Sequence, residues 1–247
     1  MKIYGLIGFP LGHSFSKSFF TKKFEKEHVS ARFETFPIES IEMLSDIFTG
    51  NPGLAGLNVT IPYKEQIIPF LHQIEPEARK IGAVNTIRVE HLFDSIQLTG
   101  FNTDVTGFEL SLTPLLKSWH THALVLGSGG ASKAVCYVLD KLNISWKLVS
   151  RSTLNERTLP YTALDPELIT NYKLIINTTP LGMVPNTETC PDLHYEHLTR
   201  QHLLYDLVYN PEITMFMKKG MEKGAQVKSG LEMLQIQAEK AWEIWNE

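Results

Sequence analysis

A chain of 247 residues that is 43% hydrophobic and 20% charged carries enough apolar material for one large core or two modest ones, since domains usually run to about 100–200 residues. A formal net charge of -4, with nine histidines counted as neutral, leaves no basic stripe and so argues against a nucleic-acid partner, whose binding is driven by phosphate neutralisation. No apolar run approaches the roughly eighteen residues of a membrane span, and the two cysteines, Cys136 and Cys190, form neither a CxxC pair nor a disulfide scaffold.

The expected setting is therefore the reducing cytoplasm, with free thiols and a small-molecule substrate. The opening MKIYGLIGFPLGHS has one Lys and reaches Gly-Phe-Pro after a short apolar run, which does not read as a secretory signal.

In chain order, Lys2–Gly8 alternates into an apolar strand that stops at Gly-Phe-Pro, and residues 15–28 follow as a helix with Phe19, Phe20 and Phe24 on one stripe. The pattern then repeats as a strand at Ala31–Pro37, a helix at 40–48, a strand at Leu54–Val59 and a helix at 64–74. Two short strands at 83–89 and 96–99 flank the polar turn at 90–95, and 105–119 is a long amphipathic segment at which the lobe boundary is placed. The second half restarts with a strand at 123–126, a glycine turn at 127–130, a helix at 131–142 and a strand at 146–149. Apolar strands recur at 174–176 and 203–208, and a final helix at 231–245 aligns Leu234, Ala238, Ala241 and Trp245. Strands alternating with helices imply an α/β protein with mostly parallel sheets.

The string LVLGSGGASKAV sets Gly127, Ser128, Gly129, Gly130 and Ala131 between a strand and a helix, the context that a dinucleotide fingerprint requires. Gly127 suits the tight turn and Gly129 the approach of backbone to a pyrophosphate at the helix N-terminus, although Ser132 occupies the third position of GxGxxG. The next strand ends in Ser150-Arg151-Ser152 where Asp or Glu would favour a ribose hydroxyl, so Arg151 points to the 2'-phosphate of NADP, with the two serines as added donors. A solvated surface Arg at a strand end is the plainer alternative.

Four polar clusters mark the first half: Ser14 and Ser16 in GHSFS, Asn58 to Lys64 in NVTIPYK, Asn85 in GAVNT, and Asn102 to Asp104 in FNTD. Singly, each is equally well explained by turn or capping chemistry, Asp104 as an N-cap included. Together, hydroxyls and amides with one Lys and one Asp suit a polyhydroxylated substrate and a proton-transfer pair.

The strings GFPLGHSFS, NVTIPYK, GAVNT, GFNTD, GSGGAS, INTTPLGM, DLVYNP and GLEMLQIQA resemble, in order and spacing, those of shikimate dehydrogenases across nearly the whole chain. That resemblance implies a two-lobe enzyme: a substrate-binding and catalytic domain of residues 1–103 and 231–247, a Rossmann-type NADP domain of residues 104–230, and an active site in the cleft between them. It implies reduction of 3-dehydroshikimate to shikimate with NADPH in aromatic amino-acid and chorismate biosynthesis, with Lys64 and Asp104 as acid/base pair and no metal. It further implies that Ser14 and Ser16 hold the substrate carboxylate, that Asn58, Thr60, Asn85, Tyr209 and Gln237 contact the substrate, and that Leu207 and Gly230 line the nicotinamide with Asn177 and Thr178 nearby. The chain departs from the family pattern at Lys17, where Pro is frequent, at TTP in place of ATP or ATS, and in a thinner basic cluster after Arg151. A quinate/shikimate dehydrogenase with broader cofactor use and a silent NADP- or shikimate-binding sensor stand as alternatives. A monomer and a homodimer fit the sequence equally.

Overall fold

Alternation along a strand sends successive side chains to opposite faces of a sheet, and Lys2–Gly8 (β1) is apolar on both. Ile3 and Ile7 enter one buried cluster with Leu57, Val59, Val84 and Ile87, while Tyr4 and Leu6 enter another with Phe20, Phe24, Phe33 and Trp245. Such a strand must be central and covered on both sides. The computed structural model, which describes residues 1–12, 14–93, 95–151 and 156–247, shows it so.

The chain forms two compact units, Met1–Thr103 with Gln237–Glu247, and Asp104–Ile236. In the first, β1 is followed by α1 (Phe15–Lys26), β2 (Ala31–Pro37), α2 (Leu44–Gly50), β3 (Leu54–Val59), α3 (Tyr63–Gln66), β4 (Gln73–Ile74), α4 (Pro76–Ile81), β5 (Thr86–His91) and β6 (Ile96–Phe101). The strands form one sheet in the order β2-β1-β3-β5-β6-β4. β1 runs parallel to β2 and β3, whereas β5 is antiparallel to both β3 and β6.

The expected helix at 64–74 ends after one turn, because Pro69 cannot supply the backbone N–H a longer helix needs; a 3-10 turn at Ile68–Phe70 and the strand β4 follow. The short helix α4, absent from the sequence reading, begins with Pro76 at its first position and Glu75 as its cap, which accepts from the amides of Glu77 and Ala78.

The second unit contains α5 (Asp104–Leu112), β7 (His122–Leu126), α6 (Gly130–Lys141), β8 (Ser145–Val149), β9 (Thr158–Leu159), α7 (Pro166–Asn171), β10 (Leu174–Asn177), β11 (Leu203–Asp206), α8 (Met215–Glu222), β12 (Gln226–Ser229) and the start of α9 (Leu231–Asn246). Its strands pair in parallel throughout, in the order β12-β11-β10-β7-β8-β9. The order reverses between β7 and β10, the switch point outside whose carboxyl ends open α/β sheets bind ligands. Leu124, Leu126, Ile175 and Leu204 pack on one face with Ile169, Phe216 and Met217; the partners α5 and α6 contact each other. The long segment expected at 105–119 is shorter than its pattern suggested: α5 ends at Leu112 and a 3-10 turn at Thr113–Leu115 contains Pro114.

Candidate functional site

In the first unit, the loops after β1 and β3 and the start of β5 are joined by backbone. Phe9 N donates to Ile61 O (3.0 Å), Thr60 N to Ile7 O (2.9 Å) and Val59 N to Asn85 O (2.8 Å). A side chain at Gly8 would collide with Thr60, so the glycine allows this close approach.

Around the junction lies a buried polar cluster. Asn85 Oδ1 accepts from the Thr103 amide (2.7 Å) and from the Thr86 hydroxyl (3.2 Å), and its Nδ2 donates to Thr103 Oγ1 (3.0 Å). Thr103 Oγ1 donates to Gln237 Oε1 (3.3 Å), and Asn58 Nδ2 donates to Thr86 Oγ1 (3.3 Å). Asn58, Asn85 and Gln237, three of the residues expected to contact substrate, thus belong to one network through Thr86 and Thr103, both essentially without solvent exposure. Neither threonine was given a role of its own by the sequence, although Thr103 lies within the polar run Asn102 to Asp104 and Thr86 within the string GAVNT. Among the described residues, Asn58 Oδ1 and Asn102 Oδ1 are buried acceptors without a hydrogen-bond partner, and such atoms are costly unless something donates to them.

Ser14 is the N-cap of α1, accepting from the Lys17 amide (3.2 Å), and Ser16 is buried in the first turn. Lys17, where the family often has Pro, is a surface residue paired with Glu34 at 3.3 Å. Lys64 is half-buried in α3, a turn fixed by the Tyr63 hydroxyl on Ile38 O (2.6 Å) and by Val84 N on the carbonyl of Lys64 itself (2.7 Å). Asp104 is buried in the first turn of α5.

In the second unit, the glycine turn has the geometry expected of a phosphate cradle. Gly127 has φ +103°, and a Cβ there would press on Thr178 and Thr179. Gly129 is the extended residue before α6, and a Cβ there would meet open space. Two features of the turn therefore fit a dinucleotide: room for an anion, and its position at the N-terminus of a 12-residue helix. Ser132, in place of the third glycine, is buried and donates its hydroxyl to Gly129 O (2.6 Å), closing the turn from inside. Ser128 and Ser150 hydroxyls lie 3.1 Å apart, and Arg151 is exposed beyond the end of β8. Ser152, the other expected donor, lies outside the described residues.

At the neighbouring strand ends, Thr178 donates to Leu126 O from its amide (2.9 Å) and its hydroxyl (2.7 Å). Leu207 N donates to Asn177 O (2.9 Å), and the Leu207 carbonyl lies where a Cβ of Gly230 would be, so these two residues need the glycine to meet. Asn177 is fully buried with both ends of its amide engaged inside the protein. Its side chain is scaffold, leaving Thr178 and Leu207 as the half-exposed positions. Tyr209 is half-buried two residues beyond Leu207.

Asp206, at the end of β11, was not singled out by sequence. It is wholly buried, and burial pushes its carboxyl up to about 6 even though bonds from Thr214, Val208 and Asn177 favour the charged form. The described residues contain no group of three or more His, Cys, Asp or Glu placed to hold a metal ion, and no helix long and apolar enough to cross a membrane.

Residues 6–87 match the family model of the shikimate dehydrogenase substrate binding domain. The shikimate dehydrogenase (NADP(+)) of Methanococcus aeolicus is 35% identical over 99% of this chain and 91% of its own length. Among solved structures, shikimate dehydrogenase from Aquifex aeolicus superposes with a TM-score of 0.83 at 34% identity, covering 99% of this chain and 92% of that one. The shikimate 5-dehydrogenase of Thermus thermophilus, in complex with NADP(H) and shikimate, gives a TM-score of 0.84 at 29% identity over 99% and 93% of the two chains. With a family-specific domain, near-complete coverage and the same two-sheet architecture, the chain belongs to the shikimate dehydrogenase family of NADP-dependent oxidoreductases.

Proposed function

We propose that this protein catalyses the reversible NADPH-dependent reduction of 3-dehydroshikimate to shikimate, on the route to chorismate and the aromatic amino acids, with Met1–Thr103 and Gln237–Glu247 binding substrate and Asp104–Ile236 binding NADP. The observation that carries this reading is the buried amide and hydroxyl cluster of Asn58, Thr86, Asn85, Thr103 and Gln237, in which Asn58 Oδ1 lacks a donor. A substrate rich in hydroxyl groups donates to such an acceptor, and an apolar one would leave it unpaired. The Thermus thermophilus relative, crystallised with NADP(H) and shikimate, supports it.

NADPH supplies the hydride when bound. Lys64, as an ammonium, protonates the ketone oxygen as the new C–H bond forms, so that no free alkoxide develops; in the oxidative direction the same amine takes the hydroxyl proton. Asp104 holds the lysine charge and exchanges the proton with it. Ser14 and Ser16 bind the substrate carboxylate, while Asn58, Thr60, Asn85, Gln237 and Tyr209 orient the ring. Gly127 to Ala131 cradle the pyrophosphate, and Ser150, Arg151 and Ser152 take the 2'-phosphate, a fork-to-phosphate match that Lys or a neutral residue would not reproduce. Thr178, Leu207 and Gly230 face the nicotinamide.

The test is reduction of NADP or NAD, followed at the nicotinamide absorbance band, with shikimate or quinate in all four combinations. Turnover with shikimate and NADP alone is expected. Comparable rates with quinate or NAD would replace the reading by a broader dehydrogenase, and binding with no turnover by a sensor.

A further inference from the structure

We propose that Asp206 is the positioning residue of the cofactor half, its buried carboxylate tying together the turns after β10 and β11 and the N-cap of α8 so that Thr178 and Leu207 are held for the nicotinamide. The proposal rests on the NADP reading above but adds a residue to which that reading gives no role.

Three segments converge on this one carboxylate. Oδ1 accepts from Asn177 Nδ2 (2.9 Å), at the end of β10, and from the amide of Val208 (3.0 Å), in the turn after β11. Oδ2 accepts from Thr214 Oγ1 (2.6 Å), the cap of α8, whose oxygen in turn receives the Met217 amide (3.3 Å). The chain of bonds continues outward, because Asn177 Oδ1 accepts from the amide (3.0 Å) and the hydroxyl (2.6 Å) of Thr179, and Thr179 Oγ1 accepts from Leu181 N (3.3 Å). All of these residues lie in the second unit.

The positions that this network brackets are the ones that matter for the cofactor. Thr178 lies between Asn177 and Thr179, each held by the network, and Leu207 lies between Asp206 and Val208. Gly230 donates its amide to Val208 O (3.2 Å) and packs on the Leu207 carbonyl, so it takes its place from the same turn. Asp206 itself has no exposed surface with which to meet a ligand.

The residue type follows from the geometry. Three donors from three segments require a side chain that only accepts, and an ionised carboxylate alone offers that in so small a volume. Burying it is costly, which is why its carboxyl titrates high. An aliphatic side chain would fill the strand end at no such cost but would leave Asn177, Val208 and Thr214 with unsatisfied donors.

The test is Asp206→Asn in the full chain, which keeps the shape and turns one acceptor into a donor. Three quantities are measured on the variant and the parent: the NADP dissociation constant by fluorescence titration without substrate, the separate KM values for NADP and shikimate, and amide hydrogen exchange in residues 177–183 and 206–210 without ligand. We expect NADP affinity and KM to worsen about tenfold, as for loss of one charge-assisted hydrogen bond, with the shikimate KM within about twofold of the parent and faster exchange in both turns. Unchanged NADP affinity in a folded variant, or an equal rise in both KM values, overturns the proposal. Should Asp206→Asn fail to fold, Thr179→Val, which removes the two outer bonds made by this hydroxyl, to Asn177 Oδ1 and from Leu181 N, is expected to raise the NADP KM by a few-fold alone, and no change there overturns it as well. A parent protein that binds NADP but does not oxidise shikimate refutes the substrate reading only, and affinity and exchange still decide the role of Asp206; a parent that binds no NADP overturns both.

Discussion

Trp245 offers a direct measure of how the first unit is held together. Its indole is 5% exposed, stacks on Tyr4 at 4.8 Å between centroids and 24° between planes, and contacts Phe20 at 5.1 Å. Nε1 donates to Ile87 O at 3.0 Å, and the ring covers Gly56 so closely that no Cβ fits there. Truncation to Ala removes a large buried ring, which costs about 3–5 kcal/mol in cores, and leaves a buried carbonyl without its donor. Trp245→Phe keeps most of the ring and loses the hydrogen bond, for roughly 1–2 kcal/mol. With a urea m-value of about 2 kcal/mol/M, the Ala variant should lower the midpoint for this unit by about 2 M and the Phe variant by under 1 M. Urea titrations followed by near-UV dichroism, which reports the Tyr4, Phe20 and Trp245 packing, are the assay. If Phe proved as damaging as Ala, or if Ala cost under about 1 kcal/mol, the aromatic layer would not be what seats this helix.

Lys64→Ala should lower turnover about 100-fold or more while leaving the shikimate KM nearly unchanged, as loss of proton transfer does; steady-state kinetics of a variant with parental dichroism checks it, and near-normal turnover removes Lys64 from the chemistry. Arg151→Ala should raise the NADP KM about tenfold or more without altering the NAD KM, so a parallel rise for both cofactors would contradict 2'-phosphate recognition. Burial lowers the pKa of His120 and His202 below the ordinary 6.5. Both are neutral in the fold and gain protons on unfolding, so their contribution is complete above about pH 6.5 and falls as the pH drops below it; a difference in melting temperature between the parent and a His120→Gln, His202→Gln variant that is the same at about pH 7.5 and pH 5.5 would refute this. Asp206 has the opposite sign, since its carboxyl lies at about 6 against an ordinary 3.8. Its charging weakens the fold as pH rises between those values, and Asp206→Asn should remove that part of the pH profile.

Much of the architecture is written in short-range pattern. β1 and β7 are apolar runs flanked by Gly or Pro, and the strand-glycine-helix of residues 123–142 needs no partner to be recognised. What escapes such a reading depends on residues far apart in sequence. The antiparallel insertion of β5 between β3 and β6 follows from pairing, not from the composition of 83–89, whose first residues stay outside the strand because Val84 N is taken by Lys64 O and Asn85 N by Phe101 O. The polar clusters of the first unit were visible as strings, yet the threonines that join them looked like ordinary strand and turn residues. Thr86 and Thr103 meet at 3.2 Å across 17 positions. Asp206 was hidden for the same reason: inside the strand expected at 203–208, at the head of DLVYNP, it carried no role of its own, and its partners Asn177 and Thr214 lie 29 positions before it and 8 after it. Even the serine in place of the third glycine gave no hint that its hydroxyl closes the turn on Gly129.

The first unit is discontinuous, with Gln237–Glu247 returning to complete a core begun by Met1–Thr103, and this has a consequence for biosynthesis. Residues are made in order, so during translation Tyr4, Phe20, Phe24 and Phe33 wait for Ala238, Ala241, Ile244 and Trp245, while the intervening residues 104–236 are completed first. The half begun earliest is the one finished last. A ribosome that stalls within α9 would release a chain whose second sheet is whole but whose aromatic layer is uncovered, a sticky surface of the kind chaperones and proteases recognise. The aromatic layer begun by Tyr4 is therefore covered only once residues 238–245 have been made.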